Sequence, residues 1–244
     1  MRNISRSSMR IGVLTLAAML LATASFAMVR EVSFEELTEL SETTMEVVVV
    51  NSYAEWNAEH TAIFTHYVVE PMRQSGGRSR GNRFELLFAG GRASDGKQMI
   101  VTEVPQLEVD GQYILFLHPR QARHAAATVG MWQGALRVVH DAETRSNVIV
   151  DMQGRLIEKD ANGKLHRGRN VRVDSNGFMT EAAIEPEPGM ESDPVLTDPQ
   201  GRVIPLQRHA APIVNAAPER APVDPDTLMN MVDQFRRNAP RARE

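Results

Sequence analysis

DGQYILFL, residues 110–117, is the stretch whose reading decides the fold. Asp110-Gly111 is a turn signal, and Tyr113-Ile-Leu-Phe-Leu117 after it combines aromatic and branched residues in a run too short for a helix and well suited to a strand. Working towards the N-terminus, Met45 to Tyr53 contains Val47-Val48-Val49-Val50, a β-branched run fitted to a strand buried on both faces. Ala62 to Val69 predicts a second strand ended by Pro71. Phe84, Leu86 and Phe88 alternate with Glu85 and Leu87 in a third, closed by Gly90-Gly91. Met99 to Val104 predicts a short fourth. Towards the C-terminus, Thr128 to Met131 and Leu136 to Val139 straddle Gly134, a residue that in a strand marks a bulge or a bend. Many short strands and few helices predict a mainly β protein, an antiparallel barrel or sandwich.

Two short helices frame these strands. Ser33 followed by Glu36 is a capping-box pattern, and Phe34, Leu37 and Leu40 recur at helical spacing behind it. At the other end, Asp224-Pro225-Asp226 supplies an N-cap, a proline for the first turn and an acid for the helix dipole. Leu228, Met231, Val232 and Phe235 then form an apolar stripe, with Arg236 and Arg237 in the last turn. A helix this short needs a surface to lie on. Docking on the protein's own barrel is one expectation and recruitment of a separate protein is the other.

Between the strands and the last helix, Asp151-Met-Gln-Gly154, Asp160-Ala-Asn-Gly163, Asp174-Ser-Asn-Gly177 and Asp198-Pro-Gln-Gly201 repeat one spacing. Aspartate at the first position of a turn accepts from backbone N–H groups downstream, and glycine takes the positive φ that rejoins the next strand. A calcium loop needs further oxygen ligands and a terminal glutamate that these repeats lack, so the reading is hairpin turns. Glu181 to Asp224 is rich in proline and reads as an extended, disordered tether. The expected organisation is a leader at 1–27, a barrel domain at 28–140, a hairpin extension at 141–180, a proline-rich linker at 181–223 and a terminal amphipathic helix at 224–238.

The strand series "TTMEVVVVNSYAEWN", "AIFTHYVVEPM", "RFELLFAGG", "VDGQYILFLHP" and "TVGMWQGALRVV" behind its leading helix resembles a family of exported bacterial proteins of uncharacterised activity. The plan is also similar to the OB-type barrel of the tissue inhibitors of metalloproteinases and of netrin modules. The resemblance covers Phe34 to Val139 and implies a partly closed antiparallel OB-like Greek-key barrel. Those inhibitors chelate the protease zinc through an N-terminal cysteine, which this chain does not have, so no inhibitory residue carries over. Met72-Arg73-Gln74-Ser75-Gly76 also stands where the pattern has a lysine-glycine step.

The first residues speak to location. Arg2, Arg6 and Arg10 precede an apolar run from Ile11 to Ala22, and Ser25-Phe26-Ala27 is a small-x-small cleavage pattern, so residues 1–27 read as a secretory leader. Its loss would remove three arginines and no acid, taking the net charge from −4 to −7, and leave 217 of 244 residues. That balance argues against a nucleic-acid surface. The apolar run is shorter than the ~20 residues of a membrane-spanning helix, so no span is expected after cleavage. The chain contains no cysteine, so an exported domain has to hold by packing without disulfides. The expected location is the periplasm or the extracellular space.

Signals for chemistry are sparse. No G-x-S-x-G and no H-E-x-x-H occurs, and thiol chemistry is excluded. Of the seven histidines, His60/His66 and His118/His124 are spaced by six positions, which neither strand nor helix turns into a chelating pair, so no metal is expected. No cofactor is expected either. Gly76-Gly77-Arg78-Ser79-Arg80-Gly81 lacks the lysine-serine ending of a phosphate loop and reads as a strand connection. Glu55, Glu59, His60 and His66 are the one polar set that would serve a hydrolase, and Trp56 and Trp132 are candidate binding aromatics alongside the stripe Leu228, Met231, Val232 and Phe235. The balance favours a non-enzymatic binding or assembly module of the bacterial envelope whose partner is a protein or a glycan. An envelope hydrolase and a protease-inhibitor-like module are the alternatives.

Overall fold

The computed structural model describes residues 30–119, 124–174, 176–181 and 220–239. The expected leader, the Asp198–Gly201 repeat and most of the proline-rich segment lie outside them. The described residues from Val32 onwards form one unit.

Helix α1 (Phe34–Leu40) begins where the capping box predicts, Ser33 Oγ accepting from the Glu36 N–H at 3.1 Å. Phe34, Leu37 and Thr38 face inward, whereas Leu40, expected on the same stripe, points to solvent. Strands β1 (Thr43–Trp56), β2 (Ile63–Ser75) and β3 (Phe84–Ala89) follow as an antiparallel meander, and β6 (Gln112–Leu117) pairs with the other edge of β1. β4 (Gly91–Arg92) and β5 (Gln98–Met99) make a small separate hairpin, which is all that forms of the strand expected at Met99–Val104.

The segment Ala125–Val129 spans the gap between β3 and β6. The Ala89 N–H donates to Ala125 O at 2.6 Å, while the His118 N–H reaches Ala127 O and the Val129 N–H reaches Phe116 O. Only Thr128 is bridged in strand fashion, to Leu117, and the chain then tightens into a 3-10 turn at Met131–Gly134 rather than the expected strand at Thr128–Met131. Gly134 is needed there because a Cβ would sit 2.1 Å from Val129 O.

β7 (Ala135–Asp141), β8 (Ser146–Asp151), β9 (Arg155–Lys159), β10 (Leu165–Val173) and β11 (Phe178–Glu181) close a five-stranded barrel, because β11 returns to pair in parallel with β7. This ring occupies the stretch expected to be a hairpin extension, and the expected boundary at 140 falls inside a strand that both halves share. The hairpin turns are as expected: Asp151 Oδ1 accepts from the Gln153 and Arg155 N–H groups at 2.9 Å, and Asp160 and Asp174 repeat the pattern. After the undescribed segment, β12 (Ala221–Pro222) pairs with β9, so the end of the expected linker belongs to the fold. Helix α2 (Pro225–Asn238) completes it, capped by Asp224 on the Thr227 N–H at 2.8 Å.

Tyr113–Leu117 shows why so many strands fit a small protein. All five residues are at most 1% exposed. Tyr113, Leu115 and Leu117 fill the interior of a first ring, made by β1, β2, β3, β6 and the Ala125–Val129 segment, with Met45, Val47, Tyr67 and Phe88. Ile114 and Phe116 point the other way, into a core roofed by α1 and α2 that also takes Leu136, Ile149 and Ile157. A third, smaller cluster of Val139, Val150, Leu156 and Val171 fills the second ring. Two buried faces leave no place for polar alternation, hence the uninterrupted apolar run.

The end of β2 departs from expectation for a reason visible in the ladder. β2 continues through Pro71 to Ser75. Glu46 faces Arg73 and Val47 faces Pro71, so Met72 is the extra residue of a bulge, and β3 has already stopped pairing at Val69. A proline is tolerated at a bulge and beyond the end of a neighbouring ladder.

Candidate functional site

A second bulge in β1 builds the polar face of the first ring. Val49 faces Val69 and Asn51 faces Val68, leaving Val50 unpaired. Before it the odd-numbered residues Met45, Val47 and Val49 point inward; after it Tyr53 and Glu55 point outward. Tyr53 is then directly opposite His66, and His66 opposite Leu87.

The His66 ring stacks on Tyr53, with centroids 4.7 Å apart and planes within 10°. Its Nε2 lies 3.4 Å from Glu55 Oε1. Its Nδ1 lies 3.2 Å from Glu85 Oε1, close enough for ion pairing but off the line of a hydrogen bond. Tyr53 donates its hydroxyl to the same Glu85 oxygen at 2.6 Å. That hydrogen bond, burial and the nearby carboxylates push the Tyr53 phenol up to about 12. The Tyr53 bond, more than His66 and against desolvation, holds Glu85 below the ordinary carboxylate range.

The expected quartet of Glu55, Glu59, His60 and His66 is therefore only half assembled. Glu59 and His60 stay in the turn after β1, where Asn57 Oδ1 accepts from the Thr61 and Ala62 N–H groups and His60 takes a φ of 53°. The His60 ring tilts over Trp56 at 5.9 Å. Trp56 shares the face of Ala54, opposite to Glu55, as strand alternation requires. Its indole N–H donates to Asp95 and Lys97 Nζ lies 5.5 Å from its ring. Sequence reasoning missed Tyr53 and Glu85. The outward face of Glu85 was visible in the alternation of Phe84, Glu85 and Leu86; the bulge that brings Tyr53 to it was not.

Beside this face lies a cleft of about 420 Å³ lined by Phe64, Arg80, Glu85, Leu87, His118 and His124. The two histidine rings stack 3.8 Å apart, a parallel arrangement in which their nitrogens do not converge on one ion. Burial, reinforced by His124, lowers the His118 pKa. Arg80, nearly buried, donates to His118 O at 3.2 Å and lies 3.7 Å from Glu42. Among the described residues no three His, Asp or Glu side chains gather as a metal site.

The remaining candidates are spent on the fold. Leu228 and Val232 are fully buried and Met231 and Phe235 pack against the same core, so this stripe is not a free recognition surface. Arg236 ties the helix down through Ser41 O, Ser41 Oγ and Thr44 Oγ1, and Arg73 holds Asp226 and Asn230. Asp233 accepts from Ser75. Docking on the protein's own barrel is the outcome for α2. Trp132 sits in the 3-10 turn with the Arg155 guanidinium 5.6 Å from its ring.

Comparison with models of protein families, with curated proteins and with solved structures finds no match to this chain. No described helix is long and apolar enough to cross a membrane.

Proposed function

We propose that this chain is an exported, non-enzymatic binding or assembly module of the bacterial cell envelope, whose partner is an envelope protein or glycan. The observation that carries this reading is the outer face of β1, β2 and β3. Tyr53 and Leu87 are 44% and 43% exposed there, flanked by the Glu55–His66–Glu85 array and opening into the 420 Å³ cleft. A partly apolar patch rimmed by polar groups beside a cleft is the surface on which soluble proteins take partners.

The test places a photoreactive residue at position 87 of the full chain, crosslinks in intact cells and fractionates them. A single adduct in the envelope fraction that disappears with Tyr53→Ala supports the reading. A cytosolic location, or adducts indifferent to Tyr53, sinks it.

The envelope-hydrolase alternative keeps one specific support, a histidine flanked on both ring nitrogens by carboxylates. It requires that the purified chain release soluble fragments from isolated envelope polymer and that His66→Gln abolish the release. The binding reading expects no release by either protein.

A further inference from the structure

β7 changes partner along one edge. Ala135 to Val138 pair with β6, whereas His140 and Asp141 pair with Phe178 and Met179 of β11. At Val139 the sheet forks, and the beginnings of β6 and β11 separate to leave a groove of about 400 Å³. The groove exists because two strands compete for one edge of β7 and neither covers Val139.

The groove is polar. Asp110, Gln112, Arg137, His140, Asn147 and Asn176 line it. Arg137 is bound to Glu108 at 2.6 Å, so that pair is neutral as a unit. His140 Nδ1 and Asn147 Oδ1 hold each other at 3.2 Å, which leaves the Asn147 amide N–H groups and the second ring nitrogen of His140 for a visitor. Asp110 is held at a φ of 66° because its N–H donates to Val49 O while Gly111 O accepts from the Val49 N–H. That left-handed geometry fixes the position from which its carboxylate is presented. On the rim, Phe178 is 42% exposed and meets the His140 ring edge-on at 5.4 Å.

We propose that this fork is a binding site for a neutral oligosaccharide. Vicinal hydroxyls, each donor and acceptor, match carboxamide, carboxylate and imidazole groups held by their neighbours. The exposed face of Phe178 suits the C–H side of a sugar ring. Asp110 adds one negative charge that the Arg137–Glu108 pair does not offset, which disfavours phosphates and acidic glycans. The polar lining disfavours an apolar ligand. The inference rests on the binding-module reading and deepens it, naming one ligand class and a place away from the β1–β3 face.

The experiment titrates the full chain with chitotetraose, cellotetraose and tetragalacturonate, following backbone amide shifts and heats of binding. At least one neutral tetrasaccharide is expected to bind at millimolar concentrations and to shift Gly111, Val139 and Gly177 together. Asp110→Asn, Asn147→Ala and Phe178→Ala should each weaken binding roughly fivefold or more, on the scale of one lost hydrogen bond or ring contact. Asn176→Ala, at a turn tip, reads the same site should Asn147→Ala disturb β8. Absence of binding by both neutral probes, shifts elsewhere on the surface, or equal binding of the acidic tetramer overturns the proposal. If that failure comes with an intact position-87 adduct, only the sugar site falls; if both fail, the binding-module reading falls with it.

Discussion

The two rings adjoin along the β6–β7 ladder, yet they are held shut by different means. The second closes strand to strand, with β11 paired to β10 on one edge and to β7 on the other. The first is drawn together by a loop segment that contributes one bridge and a few backbone hydrogen bonds between β3 and β6. The looser ring carries the exposed aromatic face and the cleft; the tighter one contributes the wall of the fork. A barrel closed by ladders leaves little edge, here taken up by β6 and β12, whereas a barrel closed by a segment keeps side chains at the seam available. What binds the rings into one unit is neither interior but the β6–β7 ladder and the core roofed by α1 and α2.

The largest effect therefore belongs to that roof. Ending the chain before Asp224 removes Leu228, Met229 and Val232, all fully buried, along with Arg236. Losing one such side chain costs about 2–5 kcal/mol, and several together exceed the roughly 5–15 kcal/mol of a typical domain. The truncated chain is expected to lose its cooperative thermal transition in both rings. Calorimetry with a surviving transition in either ring would show that ring to be independent of the helices.

A pair of matched core truncations sharpens the contrast. Leu86→Ala empties a site in the first ring and Leu156→Ala one in the second, each expected to cost about 2–5 kcal/mol. Hydrogen exchange should show Leu86→Ala loosening Ala125–Val129 well below the global unfolding energy, while Leu156→Ala lowers protection only along with global stability. Equal patterns would mean that the seam is as firm as a ladder.

The turns offer a smaller, local comparison inside the second ring. Asp151 is 2% exposed and carries two backbone N–H groups as well as the Arg155 side chain at 2.8 Å, whereas Asp160 makes its backbone bonds at the surface. Asp151→Ala leaves half-buried donors unmet and should cost about 1–3 kcal/mol, Asp160→Ala less, as read from denaturant midpoints. The reverse order would show that burial does not set the worth of these turns.

These turns also mark how far the sequence carries. Asp-x-x-Gly, Ser33 with Glu36, Asp224-Pro225 and Tyr113–Leu117 act through neighbours within a few residues, so their chemistry is legible in one dimension. The bulge at Val50, the strand running on through Pro71 and the parallel return of β11 to β7 depend on what stands across a ladder. No local pattern encodes that register. The candidate site shows the same division. His66 near Glu55 was legible as types worth watching, but a single extra residue in β1 puts Tyr53 on their face, and the Asn57 turn keeps Glu59 and His60 off it.

The smallest effect tests that extra residue directly. With Tyr53 donating to Glu85, the phenol is raised to about 12 and the carboxyl is lowered. A lowered carboxyl adds stability above its unfolded pKa that is lost as pH falls through the folded value; a raised phenol adds stability below its unfolded value that is lost as pH rises through about 12. Both groups are largely exposed, so screening keeps the effect on stability slight, and the titrations themselves are the better readout. Glu85→Gln removes the charge and the stronger acceptor, so the alkaline absorbance titration of Tyr53 should fall towards the ordinary ~10. Tyr53→Phe should return the Glu85 carboxyl towards the usual carboxylate range in a carbon-detected titration. His66→Gln should move Glu85 less than Tyr53→Phe does, because the phenol's hydrogen bond is the larger cause. Were His66 to dominate instead, the bulge would matter for placing the imidazole between its carboxylates rather than for bringing Tyr53 to Glu85. The polar face of the looser ring would then be organised around the histidine.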